Sequence, residues 1–273
     1  MKKQPLVSVI VPTKNSSEFL DECLESIMKQ TYKKIEVIVV DNHSIDDTKK
    51  IAQQYTDKFY TKGPERSAQV NYGVEKASGK YIYKVDSDFV LEPSVIQECI
   101  NEVAKGFDAI VIHNSPDTTV SWIAKIRKFE VDMYKYDLTH SSARFVSKKV
   151  YRKIGGFNAN ITAGEDYDFQ NKLNRHNYKT SFIDAEALHR GEPKNLLPHI
   201  KNYYEYGKDF INFKSENYVE SKSQLRFGRS VYFKHWKKFI SHPIHGITFL
   251  IYNFTKYLFG GVGYLKARVG KHV

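Results

Sequence analysis

The chain has 273 residues, with 41% hydrophobic and 27% charged, which suits a packed core and excludes disorder as the main state. Its two cysteines, Cys23 and Cys99, have neither metal-like nor redox-like spacing, which excludes a disulfide scaffold and a cysteine-built zinc site and favours a reducing compartment. The net charge of +11 is uneven: residues 1–189 are nearly neutral, residues 190–273 carry +10, and no acid follows Glu220.

Residues 6–11 (LVSVIV) are short and β-branched and predict a buried strand. Lys2 and Lys3 precede them, but the apolar stretch ends at Pro12, too early for a leader. Ser16 or Ser17 can cap a helix carrying Phe19, Leu20, Cys23, Leu24 and Ile27. Residues 35–40 (IEVIVV) predict a second buried strand, with a helix opening near Asp46-Asp47. This alternation implies right-handed crossovers and a parallel sheet. A short strand at 57–60, a helix from Ala68 to Ala77, a strand at 80–85, a helix from Pro93 to Val103 and a strand at 109–112 follow. Residues 122–138 read as helix, 143–147 as strand, Gly155-Gly156 as a turn, and a helix begins at Glu165.

In an open parallel sheet, ligands bind beyond the carboxyl ends of the strands. Three polar clusters fall there, Pro12–Asn15, Asp41–Ser44 and Asp86–Asp88, and are expected around one cleft. No glycine-rich phosphate loop is present; the run Gly260–Gly263 lacks a preceding strand. Phosphates would therefore need another cation. Asp86 and Asp88 stand at i and i+2, so on extended backbone their carboxylates converge on one face. Paired hard oxygens favour Mg²⁺ or Mn²⁺, although from the residues alone a plain polar loop is the commoner reading of such a pair.

The segments VSVIVPTKN, VIVVDNHSIDDT, ERSAQVNYGVEKASGKYIYKVDSD, and GGFN followed by GEDYDF occur in that order. Together, over about residues 6–192, they resemble a family 2 glycosyltransferase. The resemblance implies the GT-A fold: an α/β, Rossmann-like mixed sheet flanked by helices. It also implies a nucleotide-sugar donor, a divalent metal, and inversion at the sugar carbon. By the same resemblance Pro12, Lys14 and Asn15 border the nucleotide, Asp41 contacts the base, and Arg66 lies near the nucleotide. Asp86 lies near ribose and metal, Asp88 is the direct metal ligand, and His189 is a further metal ligand. Glu165 and Asp166 match the acidic pair whose second member is the base. Asn42-His43 departs from the family's common Asp-Gly. Without the resemblance, Glu165-Asp166 would be a helix cap, Arg66 a surface ion pair and His189 a surface residue.

Residues 246–265 are apolar but interrupted by Asn253, Lys256 and the three glycines Gly260, Gly261 and Gly263, and ten Lys/Arg lie from Lys222 to Lys271. Ile247, Leu250, Ile251, Phe254 and Leu258 form one helical face, and Trp236 with Phe233 and Phe239 suits an interfacial belt. The expected division is a GT-A domain at 1–215 and a basic amphipathic helical segment at 216–273 that lies on a membrane. Packing on the core or in a homodimer competes with this, while mixing of aromatics with aliphatics disfavours nucleic acid. Trp122, Arg127 and Tyr134 could line an acceptor side, although Trp122 fits helical core packing better. The expected activity is metal-dependent transfer from a UDP-linked sugar to a hydroxyl of a lipid-linked glycan, at the cytoplasmic face. Transfer to a polyprenyl phosphate is the alternative, and a non-catalytic scaffold binding membrane or nucleic acid is a second.

Overall fold

The computed structural model describes residues 4–270; Lys2, Lys3 and Lys271 lie outside them. The chain order is β1 (Val7–Thr13), α1 (Leu20–Met28), β2 (Ile35–Asp41), α2 (Thr48–Ala52), β3 (Phe59–Thr61), α3 (Arg66–Lys76), β4 (Tyr81–Lys84) and β5 (Phe89–Leu91). It continues with α4 (Val95–Ala104), β6 (Ala109–Pro116), α5 (Trp122–Val131), β7 (Phe145–Ser147), α6 (Lys148–Lys153), α7 (Glu165–Arg175) and β8 (Thr180–His189). The chain closes with α8 (Leu196–Glu216), α9 (Tyr218–Gln224), α10 (Ser230–Lys234), α11 (Trp236–Ser241) and α12 (Pro243–Gly270).

The unbroken Val/Ile runs of β1 and β2 are buried on both faces, which puts them mid-sheet. The eight strands take the order β3-β2-β1-β4-β7-β6-β8-β5. β3, β2, β1 and β4 are parallel; β7 runs antiparallel to β4 and β6, and β5 antiparallel to β8. The sheet is therefore mixed. The helix expected over 122–138 ends at Val131 and tightens into a 3₁₀ turn at Asp132–Tyr134. β5 and β8 escaped the pattern reading: β5 has three residues, and β8 is mostly half-exposed without an apolar run.

Two compact units interleave along the chain. The first comprises Met1–Asn114, Ser142–Ala159 and Lys172–Gly191 and holds the sheet around a core of Val9, Leu24, Tyr83, Ile110 and Phe145. Cys23 and Cys99 are buried there as free thiols. The second comprises Ser115–Ser141, Asn160–Asn171 and Glu192–Val273. Within this second unit α12 packs along α8 and α5.

In the second unit, Ile126, Phe129, Met133, Phe249 and Tyr252 form the apolar centre. Gly207 and Gly263 serve helix packing. A Cβ on Gly207 of α8 would overlap the Gly260 carbonyl oxygen, and one on Gly263 would overlap that of Tyr204. The opposite face of α12 is bare: Ile247, Leu250, Ile251, Phe254 and Leu258, the face read from sequence, are all at least half exposed. Trp122, expected in a helical core, is exposed at the start of α5.

Beneath that packing lies a buried polar network. Lys256 Nζ is 2.6 Å from Glu130 Oε1, Tyr134 donates its hydroxyl to the same oxygen at 2.6 Å, and Arg229 donates to the Tyr134 oxygen at 2.8 Å. Burial pushes the Glu130 carboxyl up, but Lys256 and Arg229 outweigh it and bring it down to about 2. A depressed folded-state value means stability that is present above the ordinary carboxylate range and is lost as pH falls toward about 2. Lys256→Met should destabilise the protein by about 3–5 kcal/mol at neutral pH, because it strands a buried carboxylate. Urea denaturation of both proteins, repeated at descending pH, measures this; the gap should narrow in acid.

Candidate functional site

Three strand-end loops meet in the first unit. After β1, Asn15 turns left-handed at φ +48°, and its backbone N–H donates to Ser44 Oγ at 2.7 Å. Its side-chain oxygen accepts from Ile45 N at 3.0 Å, which ties the β1 and β2 ends together. Ser16 N donates to Thr48 Oγ1 at 2.8 Å, and Ser87 Oγ donates to Ser16 Oγ at 2.9 Å, which draws in the loop after β4. Pro12 is buried inside β1, while Lys14 is exposed. Asp41 is 4% exposed; Oδ1 accepts from Thr13 Oγ1 at 2.9 Å and Ser44 Oγ at 2.5 Å, and Oδ2 accepts from Ser44 N at 2.8 Å. Asn42 bonds the Pro64 carbonyl, and His43 turns left-handed at φ +51°. The expected cleft-forming clusters are thus neighbours.

Asp86 and Asp88 do not share one face. Phe89 N donates to Asp86 O at 3.1 Å, so the DSD segment is a turn rather than extended chain, and the i, i+2 rule does not apply. Asp86 is buried among cations: Arg144 Nη1 at 2.6 Å, Arg66 Nη1 at 3.6 Å and Lys84 Nζ at 3.8 Å. Burial pushes its carboxyl up, but these three charges outweigh that and hold it far below the ordinary range. Asp86 therefore serves as counter-charge to three cations. Asp88 points to His189 instead, with Oδ2 and Nε2 3.1 Å apart. β5 pairs with β8 in a register that sets Phe89 against His189, and the His189 ring lies tilted on Phe89 at 4.9 Å. The Arg190 N–H donates to the Asp88 carbonyl at 2.8 Å, and a Cβ on Gly191 would overlap Asp88 Oδ2. Among the described residues, no group of three His, Cys, Asp or Glu side chains could hold a metal.

The acidic pair belongs to the second unit. Gly164, at φ +89°, lies against the Phe213 ring and delivers the chain into α7, which opens on Glu165 and Asp166. Glu165 is buried and Asp166 half-buried. Asp168, a turn further, is 1% exposed and accepts from Asn217 Nδ2 at 2.9 Å, which anchors this turn. A helix N-terminus favours ionised carboxylates. Of the acceptor-side candidates, Tyr134 is committed to the buried network, and Arg127 Nε is 2.7 Å from Glu192.

Sequence reading missed Arg144, Lys84 and Gln69. Lys84 and Arg144 lie in or beside buried strands, and a cation at such a place is itself the signal of a buried acid nearby. Gln69, 3% exposed on α3, donates to the carbonyls of Thr13 at 2.8 Å and Val40 at 2.6 Å, bracing the ends of β1 and β2.

Residues 8–158, more than half of the chain, match the family described as Glycosyl transferase family 2. A glycosyltransferase of Rickettsia typhi is 29% identical over 201 residues, covering 67% of this chain; the chain spans 63% of that relative's length. The mannosyltransferase PcManGT from Pyrobaculum calidifontis, solved with GDP-Man and Mn²⁺, has a TM-score of 0.61 at 15% identity, covering 98% of this chain and 76% of that one. Glucosyl-3-phosphoglycerate synthase from Mycobacterium tuberculosis, solved with Mn²⁺, UDP and glucosyl-3-phosphoglycerate, has a TM-score of 0.55 at 15% identity, covering 78% and 80%. At these identities the two structures speak for the fold, which is GT-A. With the segments from SVIVPTKN to GGFN inside the matched span, and the strand-end loops stapled together in one sheet, the chain belongs to glycosyl transferase family 2.

Proposed function

We propose that the protein is an inverting glycosyltransferase that moves a sugar from a UDP-linked donor, with Mg²⁺ or Mn²⁺, to a hydroxyl of a lipid-linked glycan at a membrane surface. The observation that carries this is the Asp88–His189 pair beside the strand-end loops. A carboxylate and an imidazole 3.1 Å apart, with Asp88 partly open to solvent, suit two positions on a divalent ion that takes its remaining ligands from diphosphate and water. Such an ion, when bound, stabilises the charge that builds on the departing diphosphate.

In this reading the chain's own residues do the rest. Asp41 keeps a lone pair on Oδ2 for a base N–H after its three loop hydrogen bonds. Pro12, Lys14 and Asn15 border the nucleotide, and Arg66, half-exposed and steadied by Asp86, faces its phosphates. Asp166 takes the proton of the acceptor hydroxyl as that oxygen bonds to the anomeric carbon. The bond from that carbon to the diphosphate oxygen breaks, and UDP leaves. Glu165 supports the turn that carries Asp166.

Among the described residues no helix is long and apolar enough to cross a membrane. The bare face of α12 instead fits a peripheral role at the cytoplasmic leaflet, with its apolar side chains in the interface and the tail's cations over anionic lipid. Because α12 also packs on α8, point variants test this better than truncation. Ile251→Glu, at an exposed position, should reduce flotation with anionic vesicles and leave UDP release unchanged.

The activity is tested by incubating purified protein with UDP-, GDP-, CMP- and dTDP-sugars and Mn²⁺ or Mg²⁺. Nucleoside diphosphate release and a metal-dependent thermal shift with UDP compounds are expected. No release from any donor with either metal would overturn the reading in favour of a scaffold.

A further inference from the structure

Asn42 plays no part in the roles assigned above, yet it is 8% exposed and bonded through both main chain and side chain. Its backbone N–H donates to the Thr13 carbonyl at 2.8 Å, which fixes it at the ends of β1 and β2. Its side-chain amide donates across to the Pro64 carbonyl, in the loop that joins β3 to α3. The fit there is tight, since a Cβ on Gly63 would overlap Asn42 Oδ1. The main chain of the same loop is held nearby, where Lys62 N donates to the Asp41 carbonyl at 2.9 Å. The amide is what this contact needs: an ionised aspartate of the same size would have no proton for a carbonyl.

Two residues past Pro64, Arg66 opens α3. Gln69 stands at i+3 from it, so the two share a helix face. The Gln69 amide is bonded to the Thr13 and Val40 carbonyls. The first turn of α3 is therefore fastened to the strand ends on both sides, by Asn42 before Arg66 and by Gln69 after it. Arg66 Nη1 lies 3.6 Å from Asp86 Oδ1, and 47% of the Arg66 side chain stays open to solvent. A long side chain on a loose loop would lose much freedom on meeting an anion. A fixed root and a steadied tip remove part of that cost.

We infer that Asn42 is a positioning residue for donor binding: its bond to Pro64 fixes the root of Arg66, so that the guanidinium meets the donor's diphosphate already aimed. The inference rests on the phosphate-facing part proposed above for Arg66 and adds the residue that holds it there.

The test is a double-mutant cycle read as UDP affinity, from thermal-shift titrations of the full chain at one fixed Mn²⁺ concentration. Asn42→Ala deletes the amide. Gly63→Ala pushes the same amide from the other side and meets only the end of a side chain. Each should weaken UDP binding about fivefold, the share of one hydrogen bond. Arg66→Ala should weaken it about tenfold or more, as for a bond to a charged group. Added to Arg66→Ala, either substitution should cost less than about twofold further, because its effect runs through a side chain already gone. A general loosening of the fold would instead weaken UDP by the same factor in both backgrounds. The melting transitions without UDP show that each variant folds, and if one does not, the other carries the cycle. Equal factors in the two backgrounds, or wild-type affinity in Asn42→Ala and Gly63→Ala, would overturn the positioning part and leave the donor reading standing. Undiminished affinity in Arg66→Ala would overturn the part given to Arg66 and this inference with it. Absence of UDP binding by the wild type would overturn the donor reading itself.

Discussion

Asp166→Asn should lower transfer to a hydroxyl acceptor by about 10²–10⁴-fold, the usual share of a positioned general base. The amide has the size of the carboxylate but cannot accept the proton that must leave as the acceptor oxygen attacks. The loss should fall on kcat, with the KM for donor little changed, because donor binding is assigned to residues of the other compact unit. The bond from Asn217 to Asp168 that anchors this turn is left in place by the substitution. Steady-state kinetics with separate donor and acceptor titrations measures this. If the variant still glycosylates a bare polyprenyl phosphate at the wild-type rate, the acceptor arrives already ionised and the hydroxyl assignment is wrong.

The second large effect is expected at Asp88 and His189, the pair proposed to hold the metal. Asp88→Asn should reduce transfer by about 10²–10³-fold, the range for losing one group directed at developing charge. It should also move the Mn²⁺ dependence of the UDP-induced thermal shift to higher concentration. His189→Ala should move that dependence the same way, because the two side chains address each other at 3.1 Å. Asp86→Asn should behave differently: it releases three cations from their counter-charge and should show first as a loss of stability. An unaltered Mn²⁺ requirement in Asp88→Asn would remove these residues from the metal's surroundings.

That contrast between Asp86 and Asp88 marks where sequence reasoning holds and where it stops. Strand ends are local, so the runs LVSVIV and IEVIVV announced β1 and β2, and the polar clusters behind them were correctly placed at their carboxyl ends. The direction of a side chain within a tight turn is not local. Asp86 faces Arg144, 58 residues later, because β7 pairs antiparallel with β4, and no periodicity encodes that pairing. His189 meets Asp88 through a three-residue strand too short to show a period. The bare face of α12 was legible because helical spacing alone defines it, whereas the covered face depends on α8, which the tail's composition does not mention.

The glycine contacts between α8 and α12 have a mechanical consequence. Where two helices touch through backbone atoms, neither can roll about its axis without collision, so the rotation of α12 is keyed to α8. α8 in turn buttresses the first turn of α7, through Phe213 under Gly164 and Asn217 at its end on Asp168. On the membrane reading proposed above, landing on a lipid surface would therefore orient more than an anchor: through two helices it would aim the turn that bears Asp166, and the tilt of the protein over the leaflet would become part of how an acceptor is presented.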